Sequence, residues 1–469
     1  MQHFEIADQD ISTVIRTGLS RGADYVDVYL EHSAVTMVGL QNADENRASQ
    51  NIDFGAGVRV VRADKTGYAY TEEVSLPALL HAVEQAAAIC MSQPDTAVHM
   101  PPLRHDHTSH RYYECENLAF QPDGDQIRML VEYLRGLRSL VLDAEPDIVS
   151  TNASIIHKTK RWALVNSLGQ IVEDEQPLTN VSLGAVITRQ GKTERANTSR
   201  SYRRTLEMLT PELQHELTET CVRKLRFALT ATQPKGGEMP VVLGAGASGI
   251  LLHEAIGHAF EADFVRRGES IFTDQLGKQI CDPAITVVDD GTLDRWRGSI
   301  HYDDEGVPSQ RTEIVSGGRL TNFLHDRISA RCLGATPTGN GRRESFRFMP
   351  LPRMRNTYML SGQSTEQDLI ASVQNGIYVD DFSNGQVQIG AGDYSFYVKG
   401  GYLIEGGHLT RPVKDINIMG NGPQTLADIR GVANNLIVDP STWQCGKDGQ
   451  SCPVSCGMPS VLVEKLTVG

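Results

Sequence analysis

The chain has 469 residues, with 44 Lys or Arg against 58 Asp or Glu, for a formal net charge of −14. Hydrophobic residues make up 40% and charged residues 22%, which excludes wholesale disorder and points to a globular chain with at least two cores. The acidity argues against nucleic acid as the main partner and against adsorption to anionic membranes.

No run approaches the ~18 uninterrupted apolar residues of a membrane-spanning helix. The opening segment, MQHFEIADQDISTVIRTGLS, carries acids where a secretory signal has a basic start and an apolar run, so a cytoplasmic location is expected. Cys90, Cys115, Cys221, Cys281 and Cys332 are scattered singly and read as buried, reduced thiols. Cys445, Cys452 and Cys456 fall within twelve residues and need a separate explanation.

The pattern predicts a helix over Gln9–Leu19, then an alternating strand at Tyr25–Leu30 and further strands over 34–41, 53–62 and 66–72. Helices are expected at Leu76–Ala88 and Gln126–Leu142, with a Pro- and His-rich loop at 94–111 between them. Short strands follow over 147–201, then a helix over Pro211–Leu229 with proline at its permitted first turn. The breaker cluster Gln233-Pro234-Lys235-Gly236-Gly237 is the best boundary. It divides an N-terminal α+β domain (1–233) from a β-rich C-terminal domain (234–469), an α+β fold class as a whole. The second part opens with a strand at Met239–Leu243 and an apolar helix over Ile250–Phe264. Strands follow at Ala284–Val288, Gln386–Ile389 and Tyr402–Glu405.

The sharpest motif is His253-Glu254-Ala255-Ile256-Gly257-His258, an HExxxH. In the familiar HExxH the two histidines share one helix face and bind zinc, with the glutamate as general base. Here five steps of about 100° leave the imidazoles about 140° apart on an ideal α-helix. A π-bulge would bring them together, and Gly257 would ease that distortion. Two histidines and a glutamate are expensive in so apolar a helix unless they have partners. A catalytic zinc also needs a third protein ligand and one open position. Glu261 and Asp263 are near enough in sequence, and Cys445 is a distant thiolate in the glycine-flanked segment Cys445-Gly446-Lys447-Asp448-Gly449-Gln450.

Other motifs read more plainly. Gly244-Ala245-Gly246-Ala247-Ser248-Gly249 has the spacing of a dinucleotide fingerprint, but no βαβ unit closes around it, so a packing turn is expected. Arg342, Arg343, Arg347, Arg353 and Arg355 read as surface or interface arginines or as contacts to a peptide backbone. Asp303-Asp304-Glu305-Gly306 reads as a solvated turn. Gly390–Asp393 and Gly400-Gly401-Tyr402 could let a substrate strand approach closely.

Gly246–His258, Glu261–Phe264, Arg266-Arg267-Gly268, Gly341-Arg342-Arg343, Pro352-Arg353-Met354 and Cys445–Gln450 together resemble the signature of the TldD/PmbA family. These are metallopeptidases also labelled modulators of DNA gyrase. The resemblance covers essentially the whole chain and favours the TldD branch, since the TldE or PmbA branch lacks HExxxH. It implies a zinc-dependent endopeptidase acting on unfolded or extended peptides, with one zinc per chain. It further implies His253, His258 and Cys445 as zinc ligands and Glu254 as the general base on a zinc-bound water. A dimer is implied as well, either a homodimer or a heterodimer with a TldE/PmbA-like subunit. Cys452 and Cys456 depart from the family pattern. Two alternatives stay open from sequence: a catalytically silent, zinc-stabilised binding subunit, and a nucleic-acid or gyrase-associated factor.

Overall fold

The computed structural model describes residues 1–90, 98, 100–107, 111–114, 124–388 and 390–469. Cys115, Ile389 and parts of the 94–111 loop lie outside the described residues.

The first half builds one sheet from β1 (Tyr25–Gln41), β2 (Asp44–Arg62), β3 (Lys65–Thr71), β4 (Arg104–His105), β5 (Ile148–Asn166), β6 (Gln170–Arg189) and β7 (Lys192–Tyr202). The order is β3-β2-β1-β5-β6-β4, with β7 also paired to β6. The two runs expected at 25–30 and 34–41 are one long strand. The acids Asp27 and Glu31 do not interrupt it, because both are buried on the sheet.

Four helices cover one face: α1 (Asp8–Ser20), α2 (Leu76–Cys90), α3 (Gly124–Ala144) and α4 (Pro211–Thr230). Val26, Val28 and Leu30 pack into a core with α1 and α2, whereas Val38 and Leu40 join α3 and α4 in a second core. All five positions are even-numbered, hence on one face of β1. The long strands therefore carry two helix pairs end to end. Thr210 caps α4, its hydroxyl accepting the Leu213 N–H at 3.3 Å.

The opposite face receives the second half of the chain. Tyr29, Trp162, Leu164 and Val172 pack there with Tyr302 and Phe346. Around this apolar patch the contact is charged. Arg59 pairs with Asp27 and, at 2.6 Å, with Glu305, all three buried. Asp303-Asp304-Glu305 is thus not the solvated turn expected from its composition. Asp303 accepts the N–H groups of Glu305 and Val307, each at 2.9 Å, and Asp304 lies 3.3 Å from Lys160. The arginine stretch is corrected as well. Arg342, Arg343, Arg353 and Arg355 are buried, Arg355 on Asp289 at 2.8 Å, and only Arg347 is partly exposed.

Beyond α4 a second sheet closes on itself. Strands Asn375–Val387, Gly237–Leu243, Val461–Val468, Ile416–Asn421 and Asp393–Glu405 pair in that order, and Asp393–Glu405 pairs back to Asn375–Val387. Gly401 sits inside this ring, paired on both sides, where an added Cβ would strike the Tyr378 carbonyl. The close approach that this glycine allows is internal, so among the described residues Gly401 offers no free edge to a substrate strand. A six-stranded sheet containing Val287–Asp290, Asn356–Met359 and Ser455–Met458 packs into the same core. Cys90, Cys221 and Cys281 are buried thiols, as expected, whereas Cys332 is exposed. Among the described residues no helix is long and apolar enough to cross a membrane.

Candidate metal centre

The glycine-rich segment after Gly237–Leu243 is a packing turn. Gly246 takes φ +91°, and an added Cβ on Gly249 would meet the Gly457 backbone. The strand before it pairs with Asn375–Val387 and Val461–Val468, so no dinucleotide-binding unit forms.

The continuous helix expected over Ile250–Phe264 is instead four short pieces. Gly249–Leu252 is an α-turn, His253–Gly257 a π-turn and His258–Phe260 a 3-10 turn; Glu261 is extended, and Ala262–Arg267 resumes the α-helix. The wider π-turn absorbs the extra residue of HExxxH, so both imidazoles face the same place. Their ring centroids are 5.1 Å apart. Gly257 serves by size rather than by an unusual backbone angle. Its φ is −59°, but a Cβ there would run into the Met354 sulfur.

Cys445 arrives on the hairpin of Gln444–Lys447 and Gln450–Pro453. The candidate ligand atoms of His253, His258 and Cys445 all lie within 4.8 Å of one another, and all three residues are buried. Cys445 Sγ is 3.6 Å from His258 Nε2. Burial pushes the Cys445 thiol up, but the His258 and His253 imidazoles outweigh it and hold the thiol well below its ordinary range. Both ring nitrogens of His253 are buried without a hydrogen-bond partner among the described residues. Two imidazoles and a thiolate around one point suit a borderline-soft, tetrahedral divalent ion, and zinc fits that donor set.

The other acids suggested by spacing stand behind this group. Glu261 Oε2 lies 3.0 Å from His258 Nδ1, the ring nitrogen facing away from Cys445. Asp263 lies 2.6 Å from Lys447 Nζ, which also reaches Glu261 at 2.9 Å. Burial raises Glu261, yet Lys447 and then His258 overcome it and hold the carboxyl well below the carboxylate range. Glu254 is the partly exposed member, with 22% of its side chain accessible, and its carboxylate is 3.7 Å from His258 Nε2.

Sequence reasoning overlooked two residues here. Lys447 follows Cys445 by two positions on a strand, so both face inward, a signal that was available from the motif. Arg353 donates to the Cys445 carbonyl and, at 3.6 Å, to Cys452 Sγ. Nothing in the local sequence announces that contact. Cys452 is the cross-strand partner of Cys445, and Cys456 lies on the neighbouring strand Ser455–Met458.

Comparison with known proteins shows what the chain as a whole is similar to. Family models match residues 26–90 as PmbA/TldA metallopeptidase domain 1, 121–226 as its central domain and 236–469 as its C-terminal domain. A metalloprotease TldD homolog from Haemophilus influenzae is 36% identical over 454 residues, covering 96% of this chain and 93% of that protein. A zinc metalloprotease TldD homolog from Saccharolobus solfataricus is 36% identical over 242 residues, 51% of this chain and 54% of that protein. The crystal structure of TldE from Thermococcus kodakarensis superposes with a TM-score of 0.76 at 19% identity, covering 98% of this chain and all of that one, and so shares the fold.

Proposed function

Because the chain belongs to the PmbA/TldD metallopeptidase family, we propose that it is a zinc-dependent endopeptidase that cleaves unfolded or extended peptides. One zinc per chain is held by His253, His258 and Cys445. The observation that carries this reading is the buried cluster of His253, His258 and Cys445, whose ligand atoms lie within 4.8 Å of one another while, among the described residues, neither His253 ring nitrogen has a hydrogen-bond partner. An interior imidazole left unsatisfied is costly unless a ligand takes it. The name of the Saccharolobus relative supports zinc as the ion.

When bound, zinc supplies a Lewis acid that polarises the scissile carbonyl and acidifies the attacking water. Glu254 is the acid of this group with access to solvent, and its carboxylate takes the proton from that water and returns it to the leaving amine. Glu261, held by Lys447, fixes the His258 ring by engaging Nδ1 and leaves Nε2 directed at the Cys445 side. The chain works in the cytoplasm as a dimer, with itself or with a TldE/PmbA-like subunit. Its division of labour falls at 233/234, the C-terminal part carrying the metal.

The test is the metal content of the purified chain by elemental mass spectrometry, beside His253→Ala and Cys445→Ser. The expected result is one zinc per chain, lost in both variants. Zinc retained in Cys445→Ser would remove the thiolate from the ligand set, and a zinc-free wild type after zinc supply would overturn the hydrolase reading.

A further inference from the structure

Behind the metal hairpin lies a cavity of about 190 Å³ between the long-stranded sheet and the second half of the chain. Strand alternation puts Lys158 and Lys160 on the β5 face that looks into it, the face that also carries Trp162 and Leu164. Its far wall includes Gln444, Ser451 and Pro453, the hairpin positions whose alternation points away from the Cys445 side. The lining carries five cations, Lys158, Lys160, Arg203, Arg342 and Arg343, against two carboxylates, Asp304 and Glu344.

The two carboxylates do not neutralise this set. Asp304 is taken by Lys160 at 3.3 Å and by the Arg343 backbone N–H at 2.8 Å. Glu344 accepts the Ser451 N–H at 2.6 Å. Among the described residues Arg342 donates only to the backbone carbonyls of Met354 and Pro453, at 2.6 and 2.8 Å. Arg203 donates to the Ser299 carbonyl at 3.0 Å and to Gln176 at 3.4 Å. Among the described residues neither arginine has a carboxylate in ion-pair range, and Lys158 Nζ has no hydrogen bond or ion pair at all. Burial lowers both Lys158 and Arg203 from their ordinary values, and the Glu31 carboxylate beside Lys158 and the Tyr113 hydroxyl beside Arg203 oppose that shift without cancelling it. Lys160 also has the buried Glu31 at 3.9 Å and Arg343 the buried Asp27 at 3.9 Å, so the unpaired positive charge rests on the buried Arg203 and Arg342 and the partly exposed Lys158. Buried charges are normally paired, because desolvation is otherwise too expensive.

We propose that this cavity binds a small oxyanion, a carboxylate or a phosphate, between Lys158, Arg203 and Arg342. Guanidinium and ammonium donors converging on one space select that chemistry. Arg342 also holds the Pro453 carbonyl, so the anion is seated against the back of the strand pair that delivers Cys445. It completes the charge balance of the contact between the two halves of the chain.

Thermal unfolding of the purified chain, at constant ionic strength in chloride, tests this with inorganic phosphate and with succinate as separate probes. A saturable rise in Tm of a few degrees is expected with at least one of them. A response to phosphate alone assigns the site to phosphoanions, and a response to succinate assigns it to carboxylates. Lys158→Met removes an unpaired cation, so its Tm in chloride is expected to rise while its affinity for the anion falls about tenfold or more. Ser451→Asp, on an exposed hairpin position, brings a carboxylate to the cavity wall and is expected to weaken anion binding similarly. His253→Ala keeps the response, which separates the cavity from anion ligation at a metal. No saturable shift with either probe, or equal shifts in wild type and both cavity variants, overturns the proposal.

Discussion

His258 Nδ1 and Glu261 Oε2 lie 3.0 Å apart across three residues of chain, and Lys447 Nζ holds the same carboxylate oxygen at 2.9 Å. The acid that spacing alone offered as a metal ligand instead engages the ring of His258, one of the three proposed ligands. Its substitution therefore acts on affinity through orientation. Glu261→Gln is expected to weaken zinc binding about 10–100-fold, read by competition with a chromogenic chelator. An unchanged zinc affinity would mean that the carboxylate does not orient His258.

Glu254 differs from its neighbours in reaching solvent, with 22% of its side chain accessible. Glu254→Gln keeps the shape but removes the proposed base. Zinc content is expected to stay at the wild-type level, while the rate of cleavage of an unfolded peptide falls by about 10²–10⁴. Wild-type cleavage by a zinc-loaded variant would assign the proton transfer to another group.

Gly257 stands where the π-turn meets Met354, and an added methyl would also lie 3.3 Å from the Leu252 carbonyl oxygen. Gly257→Ala is expected to cost about 1–3 kcal/mol of stability, as overpacking of a tight core does. Combining it with Met354→Ala should cost less stability than the sum of the two single changes, because the shortened side chain opens the space the methyl needs. A Gly257→Ala chain with wild-type Tm would contradict this account.

Asp326 caps the helix Arg327–Leu333, accepting from the Ser329 N–H at 2.7 Å and its hydroxyl at 2.6 Å, both on Oδ1. Burial, and then the Glu305 charge, pushes its carboxyl from 3.8 up to about 6. The folded state therefore binds this proton more tightly than the unfolded chain does. The associated stability is complete below about 3.8 and is lost as pH rises through about 6. Asp326→Asn preserves the Oδ1 acceptor and cannot ionise. It is expected to match wild type near pH 4 and to be more stable by on the order of 1–3 kcal/mol at pH 8, measured by urea unfolding. Equal stabilities at both pH values would place the wild-type carboxyl in its ordinary range.

Sequence by itself determined the four long helices of the first half and the strands beside them, since a helix such as Pro211–Thr230 writes its apolar face into a local period, but it left the short helices Arg327–Leu333, Glu366–Ala371 and Gly422–Ala427 and most of the second half's short strands unread. It also brought forward His253, Glu254, His258 and Cys445, because imidazole, carboxylate and thiolate groups set among apolar and glycine neighbours carry a chemistry that packing alone does not call for. What only the tertiary structure decided is where charge is buried. Arg59 meets Glu305 across 246 residues, and nothing near either residue marks it as interior. Asp303, Asp304 and Glu305 read as a surface turn because composition records hydrophilicity but not the cations that neutralise it from another part of the chain. The same holds at the candidate metal site. Lys447 and Arg353 were in view as letters of motifs, but their roles depend on a hairpin and a π-turn meeting, and pairing between distant segments leaves no periodic trace in either one.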